Sequence, residues 1–150
     1  MPNNIKIGQI GEDLACRYLL NNKYKIVDRN YREKWGEIDI ICKDKNGVLV
    51  FVEVKALKMF HPPLMHKWGV HGGVKQTEGY FTPEENLHSS KLKKVKRTAY
   101  LYANFHPDLI NENWGWRIDL VAIEIGHPNP KTIPIIELLK SCQIRHYENI

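Results

Sequence analysis

The chain predicts a single α/β domain whose elements follow the order α-β-β-β-α-β-β, and three observations carry that reading. Residues 7–22 and 90–105 repeat apolar side chains at helical spacing. Around them lie short runs rich in Ile, Val, Tyr and Phe, each bounded by turn residues. A length of 150 residues suits about one domain, burying roughly two-thirds of its unfolded surface. With 43% hydrophobic and 26% charged residues, the composition is that of a globular chain and excludes a disordered one.

The first helix, IGQIGEDLACRYLLNN, places Ile10, Leu14, Ala15, Tyr18 and Leu19 on one stripe. Gly8, Gly11 and Ala15 form a small-residue flank that permits close approach by another element. Glu12 borders that flank, and as a first-turn acid it would complement the helix dipole. YKIVDRNY, 24–31, alternates as a short strand. GEIDIICKDKNGVLVFVEVK, 36–55, is a hairpin turning at DKNG. Residues 56–81 mix Pro, Gly, His and aromatic residues without a period and read as a long excursion, a length that in compact domains is usually functional or disordered. Thr82-Pro83-Glu84-Glu85 has the chemistry of a helix start, with Ser89 or Ser90 as a second possible start. The second helix carries Leu92, Val95, Ala99 and Tyr102 as its apolar stripe and ends at His106-Pro107. WRIDLVAIEI, 116–125, is a strand, and TIPIIELL, 132–139, is read as the last one.

The acids in the hairpin raise the functional question. Residues two apart share a strand face, so Glu37 and Asp39 share one face and Ile38 and Ile40 the other. Likewise Glu53 and Lys55 oppose Val50, Val52 and Val54. A three-residue loop, Lys45-Asn46-Gly47 with Gly47 left-handed, pairs Asp44 with Val48 and brings Asp39 opposite Glu53. A two-residue Asn-Gly turn would put the polar sets on opposite faces, because a one-residue slip flips every side chain. Two adjacent carboxylates repel unless a cation or proton intervenes. Hard divalent ions such as Mg²⁺ take such oxygens, together with water and phosphate oxygens. A nearby lysine can orient water or meet charge developing on phosphate. The chemistry implied is metal-assisted phosphodiester hydrolysis. The plainer reading of Glu53-Val54-Lys55 is an exposed ion pair on a strand.

Asp39, the thirteen-residue gap and Glu53-Val54-Lys55 resemble the PD-(D/E)xK nuclease superfamily. The motifs GQIGEDLACRYL, RNYREKWGEIDII, VFVEVK, SKLKKVKRTAYLY and WRIDLVAI resemble, more closely, the YraN-like family of small, largely uncharacterised bacterial proteins. The resemblance implies a restriction-endonuclease-like core, a mixed central sheet flanked by helices, as in Holliday-junction resolvases. It implies Asp39 and Glu53 as ligands of Mg²⁺ or Mn²⁺, the Val54 carbonyl as a third, and Lys55 as the catalytic lysine. Glu12 matches an additional helix acid, and Lys91 and Lys94 match positions that face the phosphate backbone. Arg117 and Asp119 match an R-x-D strand with no role attached. Resolvase-like members act as dimers, so a homodimer is expected with DNA, branched or single-stranded, as partner. The chain departs from the pattern in Ile38 before Asp39, in Ala56-Leu57-Lys58 after the catalytic lysine, and in the length of the excursion.

The charge of +5 and pI near 9.1 favour polyanion partners weakly. Lys91, Lys93, Lys94, Lys96 and Arg97 form either a solvated helix face or a phosphate footprint. His61, His66 and His71 recur every five residues, a spacing that suits loop histidines better than metal ligands. Trp35, Trp68, Trp114 and Trp116 could stack on unpaired bases; Trp116 reads as core, and Trp68 is the better stacking candidate. The three scattered cysteines fit a reducing cytoplasm. With no apolar h-region and no run approaching the ~20 residues of a membrane span, neither a signal peptide nor a membrane segment is expected. The favoured function is a metal-dependent DNA nuclease. The rivals are a non-catalytic nucleic-acid-binding or adaptor protein with a silent site, and a protein acting through its 56–81 loop with the acids ion-paired.

Overall fold

The structure, a computed structural model, describes residues 2–59 and 82–150, with side chains from residue 7 onward. Helix α1 (Pro2–Asn21) leads into β1 (Lys25–Glu33), β2 (Gly36–Lys43) and β3 (Leu49–Lys58). After the undescribed residues come a 3₁₀ turn (Pro83–Asn86), α2 (Ser89–Phe105) and β4 (Trp116–Ile125). A one-turn helix α3 (Ile135–Leu138) and β5 (Cys142–Tyr147) complete the chain. The five strands lie in sequence order in one mixed sheet: β3 and β4 are parallel, and the other neighbours are antiparallel. The α/β class and the mixed sheet flanked by helices are those the sequence predicts. No described helix is long and apolar enough to cross a membrane.

Each face of the sheet carries its own core. On one face Leu14, Ala15 and Leu19 of α1 pack with Ile40, Val50, Val52, Val54, Val121 and Ile123, and Leu138 of α3 closes the cluster. On the other, Val95, Ala99 and Tyr102 of α2 pack with Ile38, Leu49, Phe51 and Ile118. Because β3 is covered on both sides, Leu49 to Val54 are buried without interruption. Each Ile, Leu or Phe fully buried in this way contributes roughly 1.5–3 kcal/mol.

Four sequence expectations need correction. Residues 132–139 are not a strand: Pro134 begins α3, and the last strand lies further on at Cys142–Tyr147. Short apolar runs do not distinguish helix from strand, and here Leu138 is drawn under α1 to finish the core. Thr82-Pro83-Glu84-Glu85 caps a 3₁₀ turn, with the Glu85 carboxylate accepting the Thr82 N–H at 2.7 Å, while α2 begins at Ser89. Ala56, Leu57 and Lys58 belong to β3, where they pair with Ile123, Glu124 and Ile125, so the excursion starts later than read. Its histidines and Trp68 lie outside the described residues. Finally, Ile38 and Ile40 do not share a face, since they join opposite cores. The alternation breaks at Asp39; Asn30, between the pairs Arg29–Ile40 and Tyr31–Ile38 of the β1–β2 ladder, has a φ of 53°.

Candidate active site

The hairpin loop decides whether the acids meet. Asp44 and Val48 are joined by a hydrogen bond of 3.0 Å from the Asp44 N–H to the Val48 carbonyl. Gly47 takes a φ of +79°, the left-handed position that the three-residue loop requires. Asp44 Oδ1 also accepts the Asn46 and Val48 N–H groups at 2.8 and 3.0 Å. From this loop the β2–β3 ladder runs as far as Ile40–Val52 and stops. One residue on, Asp39 Oδ2 accepts the Val54 N–H at 2.7 Å, so a side chain does the work of the next ladder bond. Glu53 is buried, with Oε1 accepting from Lys55 Nζ at 2.7 Å and lying 3.5 Å from Lys91 Nζ. Its other oxygen, Oε2, is buried with no partner.

Burial first, and the Glu53 charge second, push the Asp39 carboxyl up to about 7; the Val54 N–H and Lys91 pull it down, and Glu12 adds repulsion. Lys91 feels the opposite balance. Burial works against its charge, but Glu37, Glu53 and Asp39 outweigh that and hold its pKa above the ordinary lysine value. Lys91 Nζ also donates to Glu37 Oε1 at 2.9 Å, and that bond is the main cause of the lowered Glu37 pKa. One ammonium thus joins Glu37, beside the turn of the β1–β2 hairpin, to Glu53 in the sheet.

Two glycines bring the helices this close. A Cβ on Gly11 would sit 2.4 Å from Ala56 Cβ, so its absence lets α1 rest on β3 and sets Glu12 near Asp39. A Cβ on Gly36 would sit 2.4 Å from Thr98 Oγ1, so the start of β2 lies directly against α2. Gly8, from the same small-residue flank, meets nothing within 4 Å.

Residues 11–123 match the family described as Uncharacterised protein family UPF0102. The chain belongs to this family. It is similar to a UPF0102 protein of Rhodococcus opacus, 35% identical over 87% of this chain and 93% of the relative. A UPF0102 protein of Alkaliphilus oremlandii is 32% identical over 97% of both chains. One from Persephonella marina is 39% identical over 63% of this chain and 66% of the relative. The YraN-like resemblance of the motifs is thereby borne out. The span matched to UPF0102 contains Glu12, Asp39, Glu53, Lys55 and all of α2.

The donor set of the UPF0102 chain fits a hard divalent cation. Asp39 and Glu53 offer oxygens, Glu53 Oε2 lacks a partner, and a cation would offset both the burial and the Glu53 repulsion that raise the Asp39 pKa. Among the described residues no three His, Cys, Asp or Glu side chains converge. A metal here would therefore be held by Asp39, Glu53 and the Val54 carbonyl, with water and phosphate completing its shell.

Of the α2 cations, Lys91 and Lys94 line a cleft of about 370 Å³ beside the site, whereas Lys93, Lys96 and Arg97 are exposed and do not line it. Arg117 and Asp119, unassigned in the sequence, form a structural clasp. Buried Asp119 accepts from Arg117 Nε at 3.0 Å and the Asn149 N–H at 3.0 Å, and lies 2.9 Å from His146 Nε2. Arg117 also reaches Asp44 Oδ2 at 2.8 Å and so ties the hairpin turn to β4. Trp116 packs edge-on against Phe51, as core, and Trp114 is exposed. Sequence reading missed the link between Glu37 and Lys91. It also missed the cleft-lining Arg32 and Lys34, for which the cationic turn R-E-K-W was the available signal, and ranked Trp68 above Trp35, which lines the same cleft.

Proposed function

We propose that the protein is a Mg²⁺- or Mn²⁺-dependent DNA nuclease of the PD-(D/E)xK superfamily, with a restriction-endonuclease-like core, hydrolysing phosphodiester bonds of branched or single-stranded DNA. The observation that carries the reading is the pair of half-buried Asp39 and buried Glu53: burial and then the Glu53 charge raise the Asp39 pKa, and Glu53 Oε2 has no partner. A binding module has no use for negative charge concentrated where phosphate would lie. A bound divalent ion would supply charge for the phosphate oxygens and lower the pKa of an attacking water. Lys55 Nζ, held on Glu53, would donate to that water or to the oxygen on which charge develops. Glu12 borders the same pair as an assisting acid. Lys91 and Lys94, with Lys93, Lys96 and Arg97 further round α2, would meet the backbone. A homodimer and a cytoplasmic setting belong to the same reading.

One observation favours a second reading, a non-catalytic DNA-binding or adaptor protein. Glu53 Oε1 already has two ammonium groups within 3.5 Å, so the site is partly neutralised by its own lysines. Labelled linear, single-stranded and four-way-junction DNA incubated with Mn²⁺ separates the two. Cutting by the wild type that is lost in Asp39→Ala and in Lys55→Ala supports the nuclease. DNA binding without cutting, weakened by Lys91→Ala and Lys94→Ala, supports the second reading.

A further inference from the structure

The cleft beside the carboxylates is built by two elements locked together. The β1–β2 hairpin contributes Arg32, Lys34 and Trp35, and α2 contributes Lys91 and Lys94. Gly36, with no room for a Cβ, fixes the hairpin against Thr98 of α2. Two acids, Glu33 and Glu37, also line it, so four cations face two carboxylates. Glu37 is already engaged by Lys91 at 2.9 Å and Arg32 at 3.7 Å. Among the described residues Lys34 and Lys94 have no carboxylate partner. Trp35 is half-buried in the wall, and its Nε1 donor is buried without an acceptor. A tryptophan placed only for packing normally satisfies that donor.

We propose that this cleft takes one unpaired nucleotide of the DNA strand that runs into the Asp39–Glu53 site, an assignment that rests on the nuclease reading. Its volume, about 370 Å³, lies at the small end of the roughly 300–1,000 Å³ typical of ligand sites and suits one nucleotide-sized group. The unpaired ammonium groups of Lys34 and Lys94 meet the phosphate. Trp35 offers an aromatic face to a base that has left its stack, a contact indifferent to sequence. Lys91 connects cleft and carboxylates, because its ammonium touches Glu37 on the one side and Glu53 on the other. Paired bases have no free face for the tryptophan, so the preference is for unpaired strand at an end, flap or branch.

The test is strand binding without divalent ions, where cutting plays no part. Fluorescence anisotropy is measured for a labelled single-stranded oligonucleotide and for the duplex of the same sequence. The proteins are the wild type, the double variant Lys34→Ala/Lys94→Ala, Trp35→Ala and Trp35→Phe. The lysine pair is expected to weaken single-strand binding about tenfold and to flatten its salt dependence by ~1.4, at about 0.7 per phosphate contact. Trp35→Ala is expected to cost about tenfold on the single strand, with Trp35→Phe keeping most of the affinity. Duplex binding should change less than about twofold in the tryptophan variants. Unchanged single-strand affinity in the lysine pair, which is exposed and leaves the fold intact, overturns the proposal. Equal losses on single strand and duplex in both sets overturn the claim for an unpaired nucleotide. Cleft-dependent strand binding with no cutting by the wild type would sink the nuclease and leave the cleft standing. Cutting with normal strand binding in the cleft variants would do the reverse.

Discussion

Asp39→Asn removes one negative charge from the carboxylate pair while keeping an oxygen that can accept the Val54 N–H. In the folded protein the Asp39 carboxyl is raised from 3.8 to about 7, by burial and by Glu53. A raised carboxyl binds its proton more tightly when folded than when unfolded. Its contribution to stability is therefore fully present below about pH 4 and is lost as pH climbs to 7. At about 1.4 kcal/mol per tenfold change in proton affinity, and allowing for solvent at a half-buried site, the wild type carries a penalty of roughly 2–4 kcal/mol above pH 7. The asparagine variant carries none. Guanidinium unfolding followed by tryptophan fluorescence should give the two proteins the same stability near pH 4. Near pH 8.5 the variant should be more stable by roughly 2–4 kcal/mol. Titrating groups away from Asp39 are common to both proteins and cancel. Millimolar Mn²⁺ at the higher pH should stabilise the wild type and leave the variant almost unmoved. Equal stabilities at both pH values would refute the argument, because Asp39 would then feel neither burial nor Glu53. A variant less stable at high pH would show the carboxylate to be a structural partner.

Four further outcomes follow from the geometry. Gly11→Ala drives a methyl into Ala56, 2.4 Å away, and should cost about 1–3 kcal/mol in urea unfolding. Gly8→Ala, with open space, should stabilise α1 by up to about 1 kcal/mol. Asp119→Ala removes one carboxylate from Arg117, which keeps Asp44, and the carboxylate beside His146, and should cost about 1–3 kcal/mol, read from the urea midpoint. Arg145 holds the Glu84 carboxyl down from 4.5 to about 2. The stability it contributes is present above about pH 4.5 and fades as pH falls towards 2. Glu84→Gln should therefore melt below the wild type at neutral pH and match it near pH 2.

The core of the site was legible because one loop decides it. Asp44, Asn46 and Gly47 carry the chemistry of a three-residue hairpin, and counting back from that loop places Asp39 beside Glu53. Strand β4 was legible for a similar reason: WRIDLVAIEI is bounded by turn residues and its β-branched run fits a strand covered on both faces. Residues 132–139 were not legible, because their helical turn is chosen by where Leu138 must go under α1, a demand that arises only in three dimensions. The break in alternation at Asp39 is hidden for the same reason, since a regular strand is assumed until Asn30 on its neighbour is seen at positive φ. Glu37 and Lys91 are 54 residues apart, and neither residue type announces the other. The cation-rich turn before Gly36 was visible, but its use depends on α2 lying against it.

Both chain ends that flank residues 60–81 are fastened to the β4–β5 side of the sheet. The Met59 N–H donates to the Ile125 carbonyl at 3.0 Å. On the return, Glu84 is held by Arg145 and by the Tyr147 hydroxyl, while Arg145 is itself held by Glu124 at 2.7 Å. Arg145 is therefore shared between the returning chain and the β4–β5 edge, so its loss would loosen Glu84 and Glu124 together.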